Sequence, residues 1–176
     1  STISGNTSLS TGGGISAGSL TTTDLTNVTI TGNKCNRAIN QGGCTGGGVG
    51  GAGISLQNTL IAGNDSTNGT ASHDCSGSIA SHGYNLSAVT NGCVITGDGT
   101  GNLTGVDPKL GPLADNGGLT QTHALADDSP AIDAGNPANP GSGGFACSAV
   151  DQRGSLRTLG ATCDIGAFEQ GGVFSL

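Results

Sequence analysis

Along the first hundred positions, apolar side chains stand singly among threonine, serine, asparagine and glycine. Where they alternate, the period is two. Leu25-Thr26-Asn27-Val28-Thr29-Ile30-Thr31 is the clearest stretch. Alternation of this kind loads one face of a strand, whereas a helix needs apolar groups three and four apart. The stretch predicts a half-buried strand over 25–31. Its core recurs: Asn27-Val28-Thr29-Ile30-Thr31-Gly32-Asn33 matches Asn58-Thr59-Leu60-Ile61-Ala62-Gly63-Asn64. Ser1-Thr2-Ile3-Ser4-Gly5-Asn6 is the same unit entered part-way, and Val94-Ile95-Thr96-Gly97-Asp98 is a degenerate fourth copy. A second unit, Gly12-Gly13-Gly14-Ile15-Ser16, returns as Gly51-Ala52-Gly53-Ile54-Ser55.

Two strand units alternating in fixed order are the mark of a stacked architecture. The predicted fold is all-β: a right-handed parallel β-helix, a single-stranded solenoid, with an irregular disulfide-stapled capping module at its C-terminal end. Residues 1–105 would form about four turns, stacking at ~4.8 Å each. Equivalent side chains then line up along the axis. Ile3, Ile30 and Ile61 make one inward ladder, and Ile15 and Ile54 another on a second face. Gly5, Gly32 and Gly63 fall where the chain turns a corner and positive φ is needed. Asn6, Asn33 and Asn64 follow them, with side chains able to bond to one another from turn to turn. Residues 34–50 interrupt the period and are expected to loop out of the solenoid.

Composition narrows the function classes. There are 35 glycines, no Met or Trp, one Tyr and three Phe, with charged residues at 10%. A large aromatic core is excluded. The formal charge is −7, with five bases against twelve acids, so clustered cations for nucleic acid are lacking. No apolar run approaches the ~20 residues of a membrane-spanning helix. The six cysteines, Cys35, Cys44, Cys75, Cys93, Cys147 and Cys163, lack C-x-x-C or zinc-finger spacing. They read as three disulfides made in an oxidising compartment. Fifteen connectivities are open. The local set, Cys35–Cys44, Cys75–Cys93 and Cys147–Cys163, is favoured because each bridge closes a glycine-rich or insertion-like loop.

After Gly105 the text becomes irregular and turn-rich. DPKLGPLADNGGLTQTHAL (107–125), SPAIDAG (129–135), DQRG (151–154) and CDIGAFE (163–169) closely resemble the end of bacterial surface β-helix proteins with a choice-of-anchor Q domain. The repeats before it resemble those of polymorphic outer-membrane proteins. The resemblance implies a right-handed parallel β-helix on the bacterial exterior, usually part of a longer polypeptide, with no catalytic residue to carry over. Residues 106–170 then form the cap module. Residues 171–176 form a flexible tail in which Val173 and Phe174 make a short β-prone hook.

Candidate chemistry is sparse. Asp107, Asp115, Asp127, Asp128, Asp133, Asp151, Asp164 and Glu169 cluster late in the chain. Hard cations such as Ca²⁺ need several oxygen ligands, but the spacing matches no calcium motif. Asp-Pro, Asp-Asn-Gly and Asp-Ala-Gly are turn sequences, so turn and cap duty is the expectation and no metal or other cofactor is assigned. Arg153 is expected to bond Asp133, Asp164 or loop carbonyls. His73-Asp74-Cys75 superficially resembles a nucleophile beside its base. A disulfide at Cys75 removes that reading, and no catalytic residue is assigned. The predicted function is an extracellular or cell-surface structural protein that assembles head to tail into a fibre or layer. Ser1, Thr2 and Ile3 would lie at one contact and Val173 and Phe174 at the other. The partner is another copy or another surface component, with no nucleic acid and no membrane span. The alternative is the C-terminal part of a larger adhesin. A pectate-lyase-like polysaccharide enzyme is the weaker third reading.

Overall fold

Fifteen short strands run through a computed structural model that describes residues 1–20, 22–36, 44–66, 74–157 and 161–171. The chain visits three sheets in a repeating order. A first pass supplies β1 (Thr2–Ser4), β2 (Thr7–Ser8), β3 (Ile15–Ala17) and β4 (Thr23–Thr26). The second supplies β5 (Thr29–Thr31), β6 (Lys34–Cys35) and β7 (Val49–Gln57), and the third β8 (Leu60–Ala62), β9 (Asp65–Ser66) and β10 (Cys75–His82). The strands β11 (Leu86–Ser87), β12 (Cys93–Asp98) and β13 (Leu103–Thr104) follow. An antiparallel pair, β14 (Leu110–Ala114) and β15 (Thr122–Leu125), opens the C-terminal module.

All pairing before that hairpin is parallel. The first sheet runs β1-β5-β8-β11-β13, the second β2-β6-β9, and the third β3-β7-β10-β12 with β4 also on β7. Spatial order therefore follows chain order in every sheet, as successive passes laid one on the next require. Parallel strands cannot be joined by a hairpin, and here each return to a sheet goes through the other sheets.

Register fixes the core. Ile3 pairs with Ile30 and Ile30 with Ile61. Ile30 and Ile61 are buried and Ile3 partly so. Period two sends their neighbours to the opposite face. Thr2, Thr29, Leu60, Leu86 and Leu103 form that outer column. Both faces are covered, and β5 and β8 are buried throughout. The isoleucine side joins Val28, Val49, Ile54, Leu56 and Ile79 in one core. The leucine side joins Leu125, Ala131, Ile165 and Phe168 of the C-terminal module in a second. The module thus lies along the flank of the first sheet. Thr2 donates to Gln152 at 2.7 Å at one edge, and Leu103 and Val106 pack at the other.

Four expectations change. The strand expected over 25–31 is two strands on different sheets, because Asn27 turns the corner with φ 52°. Ile15 and Ile54 share the third sheet but not a rung: Ile15 pairs with Val49, and Ile54 with Thr23 and Ile79. The nine-residue β7 spans both β3 and β4, so the Gly-Ile-Ser units cannot stack directly. Val94–Asp98 continues the third sheet, with Ile95 on Ile79. The true continuations of the first sheet are Leu86-Ser87 and Leu103-Thr104. Finally, the interruption is narrower than 34–50. Lys34 and Cys35 are in β6, Val49 and Gly50 are in β7, and residues 37–43 lie outside the described residues.

Glycine is required here for two reasons. Gly5, Gly32 and Gly63 have φ of 71°, 66° and 67°. Beside β3, Gly13 donates to Gly46 O at 3.0 Å and lies so close to Gly47 that an added Cβ would sit 2.2 Å from its carbonyl oxygen.

Candidate functional site

Two corners of the stack are built from polar side chains that bond from one pass to the next. At the first, Asn6 N and Nδ2 both donate to Asn33 Oδ1, at 3.0 and 2.9 Å. Asn33 N and Nδ2 donate to Asn64 Oδ1, both at 3.0 Å. Asn64 N and Nδ2 donate to Asp74 Oδ1, both at 2.9 Å. Asp74 is fully buried and its Oδ2 accepts from Val89 N at 3.0 Å. It closes the column in place of a further asparagine. The steps are 27, 31 and then 10 residues long, so the last rung is out of period and hidden from repeat matching.

The second corner is a column that sequence reading missed. Val28 N donates to Thr59 Oγ1, Thr59 N to Asn85 Oδ1, and Asn85 N to Asn102 Oδ1, at 3.4, 2.9 and 2.9 Å. The preceding residues Asn27, Asn58, Tyr84 and Gly101 all have positive φ. A left-handed position recurs before β5, β8, β11 and β13, but its occupant changes from Asn to Tyr to Gly, which hides it from repeat matching. The first two do a separate job. Asn27 Oδ1 accepts from Ser148 N and Asn58 Oδ1 from Asn136 N, both at 2.8 Å, tying the module to the stack.

The late carboxyl groups are mostly used in turns. Asp107 accepts from Lys109 N, Asp115 from Gly117 N and Asp133 from Thr162 N. Asp127 accepts from Gln170 Nε2, and Asp128 pairs with Lys109 on the surface. Among the described residues, no group of three or more His, Cys, Asp or Glu comes together to hold a metal.

Asp151, Asp164 and Glu169 form a buried network around two arginines. Arg153 bonds Asp151 Oδ2 at 2.8 Å and the carbonyls of Glu169 and Asn116, and lies 3.6 Å above the Phe168 ring. The loop carbonyls match the expectation for Arg153; the carboxylate it meets is Asp151, two residues earlier, through Nε and Nη2. Arg157, not singled out from sequence, is almost wholly enclosed: 1% exposed, bonded to Glu169 Oε2 at 3.0 Å and to the carbonyls of Asp164 and Gly166. Burial lowers the Arg157 pKa, opposed by Glu169, Asp151 and Asp164. Burial also raises Glu169 to about 7, against the Asp164 N–H and Arg157, which pull it down. Asp164 is raised for the same first reason. Such a network stabilises little over an apolar core but fixes one arrangement of its loops.

The remaining candidates resolve simply. Disulfides join Cys35–Cys44, Cys75–Cys93 and Cys147–Cys163, so Cys75 offers no thiolate. His73 lies outside the described residues. His123 Nδ1 bonds Gly111 O at 2.8 Å and Nε2 bonds Ser4 Oγ at 2.9 Å, docking β15 on β1. The early carboxylates do not share a rung: Asp24 pairs with Ser55, Asp98 with His82, and Asp65 with Lys34 on another sheet. Ser1 is exposed and bonds Asn27 O through its nitrogen, while Thr2 and Ile3 lie in the edge strand. Val173 and Phe174, expected at the opposite contact, lie outside the described residues. The described elements instead put β13 and β12 at that end.

No helix among the described residues is long and apolar enough to cross a membrane. No family model matches the chain, and no curated protein or solved structure matches it.

Proposed function

We propose that the chain is a non-catalytic structural unit of the cell exterior. Its three parallel sheets are read as the faces of one right-handed coil, and copies add head to tail at the coil's open ends. The observation that carries this reading is the order of the first sheet. Its strands are all parallel, and among the described residues β1 pairs only on its β5 side and β13 only on its β11 side. The two edges are thus of opposite kind and can join without reversing direction. An unpaired strand edge is a template for another strand, and a contact that does not close gives a filament. Three disulfides fit an oxidising, non-cytoplasmic setting.

The resemblance to choice-of-anchor Q proteins supports a second reading, in which preceding turns of a longer surface polypeptide cover β1. The open acceptor at Asn6 Oδ1, which has no described donor above it, suits either neighbour.

The two readings part at β13. Leu103 N and Gly105 N bond inward to Asn85 O and Ser87 O, so the Thr104 N–H between them faces the open edge. Thr104→Pro removes that donor and spares the inward bonds. Sedimentation velocity should show concentration-dependent growth for the parent and monomer for Thr104→Pro, with matching circular dichroism. Growth that survives the substitution, or a monomeric parent, contradicts head-to-tail joining through β13.

A further inference from the structure

On the flank of the stack, the outer face of the third sheet carries a cavity of about 350 Å³ that runs inward from the edge strand β4. Asp24, Thr26, Ser55 and Gln57 line its floor, with His82 and Phe145 along its wall. Parallel register sets the floor: Asp24 pairs with Ser55, and Thr26 with Gln57. Phe145 arrives from the C-terminal module and stacks on His82 with ring centroids 4.3 Å apart, yet remains 53% exposed. Gln57 is 4% exposed and its Nε2 has no hydrogen-bond partner. A buried amide left unpaired costs free energy unless something binds it. Asp24 is exposed and accepts the Ser55 hydroxyl at Oδ1, leaving Oδ2 for a ligand.

We propose that this cavity is a binding subsite for a neutral saccharide. A sugar presents an apolar C–H face and a rim of hydroxyls that both donate and accept. Phe145 supplies the apolar platform. Asp24 Oδ2 accepts a hydrogen bond from a sugar hydroxyl, and the exposed Thr26 hydroxyl donates one to a sugar oxygen. The volume falls at the lower end of small-ligand sites, about 300–1,000 Å³, enough for a short unit of a longer glycan. Among the described residues no Lys or Arg lines the cavity, and the chain carries −7, which disfavours an anionic sugar there. The site binds; nothing in its lining assigns it a reaction.

The test uses the whole oxidised protein with cellobiose, maltose and lactose as neutral probes and digalacturonate as the charged counterpart. Calorimetric titration and ligand-observed NMR read the binding. At least one neutral disaccharide should bind at about 1 mM or tighter. Phe145→Ala should weaken it about tenfold without lowering the melting temperature. Asp24→Asn, at an exposed position, should also weaken it and serves if the first variant misfolds. Failure of all three neutral sugars to bind overturns the proposal. So does undiminished binding by the variants, or tighter binding of digalacturonate. None of these outcomes depends on whether copies associate.

Discussion

Asp74 shows how one side chain can end a repeat. It accepts three N–H bonds from Asn64 and Val89 in a fully buried corner. Asp74→Ala leaves Asn64 N and Val89 N unpaired, while Asn64 Nδ2 keeps the Ile30 and Ala62 carbonyls, and should cost about 3 kcal/mol, whereas Asp74→Asn keeps the Oδ1 acceptor and should cost about 1 kcal/mol. Urea unfolding of the non-reduced variants measures the difference. Glu169 gives a pH signature. Its pKa rises from 4.5 to about 7 on folding, so the folded state holds the proton more tightly. That contribution is fully present below pH 4.5 and is lost as pH rises through about 7. Glu169→Gln, a stand-in for the protonated acid, should therefore gain on the parent protein as pH rises across this window. Parallel melting curves for the two proteins at all pH values would contradict the assignment. At this scale sequence reading reached Asn6, Asn33 and Asn64 because they repeat. It could not reach Asp74, which enters the column out of period, or the Arg157–Glu169 network, whose members are brought together only by packing of the module.

The strands are too short to hold together alone, and their stability comes from columns of like residues. Within the column Ile3, Ile30 and Ile61, burial decides the cost of truncation. Ile30→Ala should lose about 2–5 kcal/mol, and Ile3→Ala, in the edge strand and partly exposed, clearly less. Chemical unfolding of both variants checks the ranking. Equal losses would mean that β1 is covered from outside, by another copy or by preceding chain. Sequence alternation located the elements but misplaced two of them. Val94–Asp98 looks like an Ile-x-Gly-Asn strand because Gly97 follows the same short spacing, yet its partners are the third-sheet residues Ile79 and Ser81. Ile15 and Ile54 look equivalent because each follows a glycine run. The length of β7, which accommodates both β3 and β4, puts Ile54 five positions along the strand from Val49, the partner of Ile15.

At the scale of the whole molecule, the C-terminal module acts as a buttress. Its apolar side fills the outer face of the first sheet, and Asn27 and Asn58 hydrogen-bond its loops. A sheet buried on both faces admits apolar side chains at consecutive positions, which is why β8, Leu60-Ile61-Ala62, lacks alternation, whereas β5 keeps it because Thr29 and Thr31 fill its second face. The disulfides reinforce this arrangement. Cys75–Cys93 joins neighbouring rungs of the third sheet, and Cys147–Cys163 closes the module against itself. Breaking either bridge should cost about 3 kcal/mol, so melting with and without reductant should differ markedly. The buttress touches β1 through Gln152 and His123 but adds no strand to the edge of β1 or β13, and on those edges the proposed assembly depends. Electron microscopy of the non-reduced protein over a concentration series, with fibre diffraction of the same material, tests it most directly. The account predicts unbranched filaments that lengthen with concentration and an axial reflection near ~4.8 Å. Dispersed single particles at every concentration would contradict it.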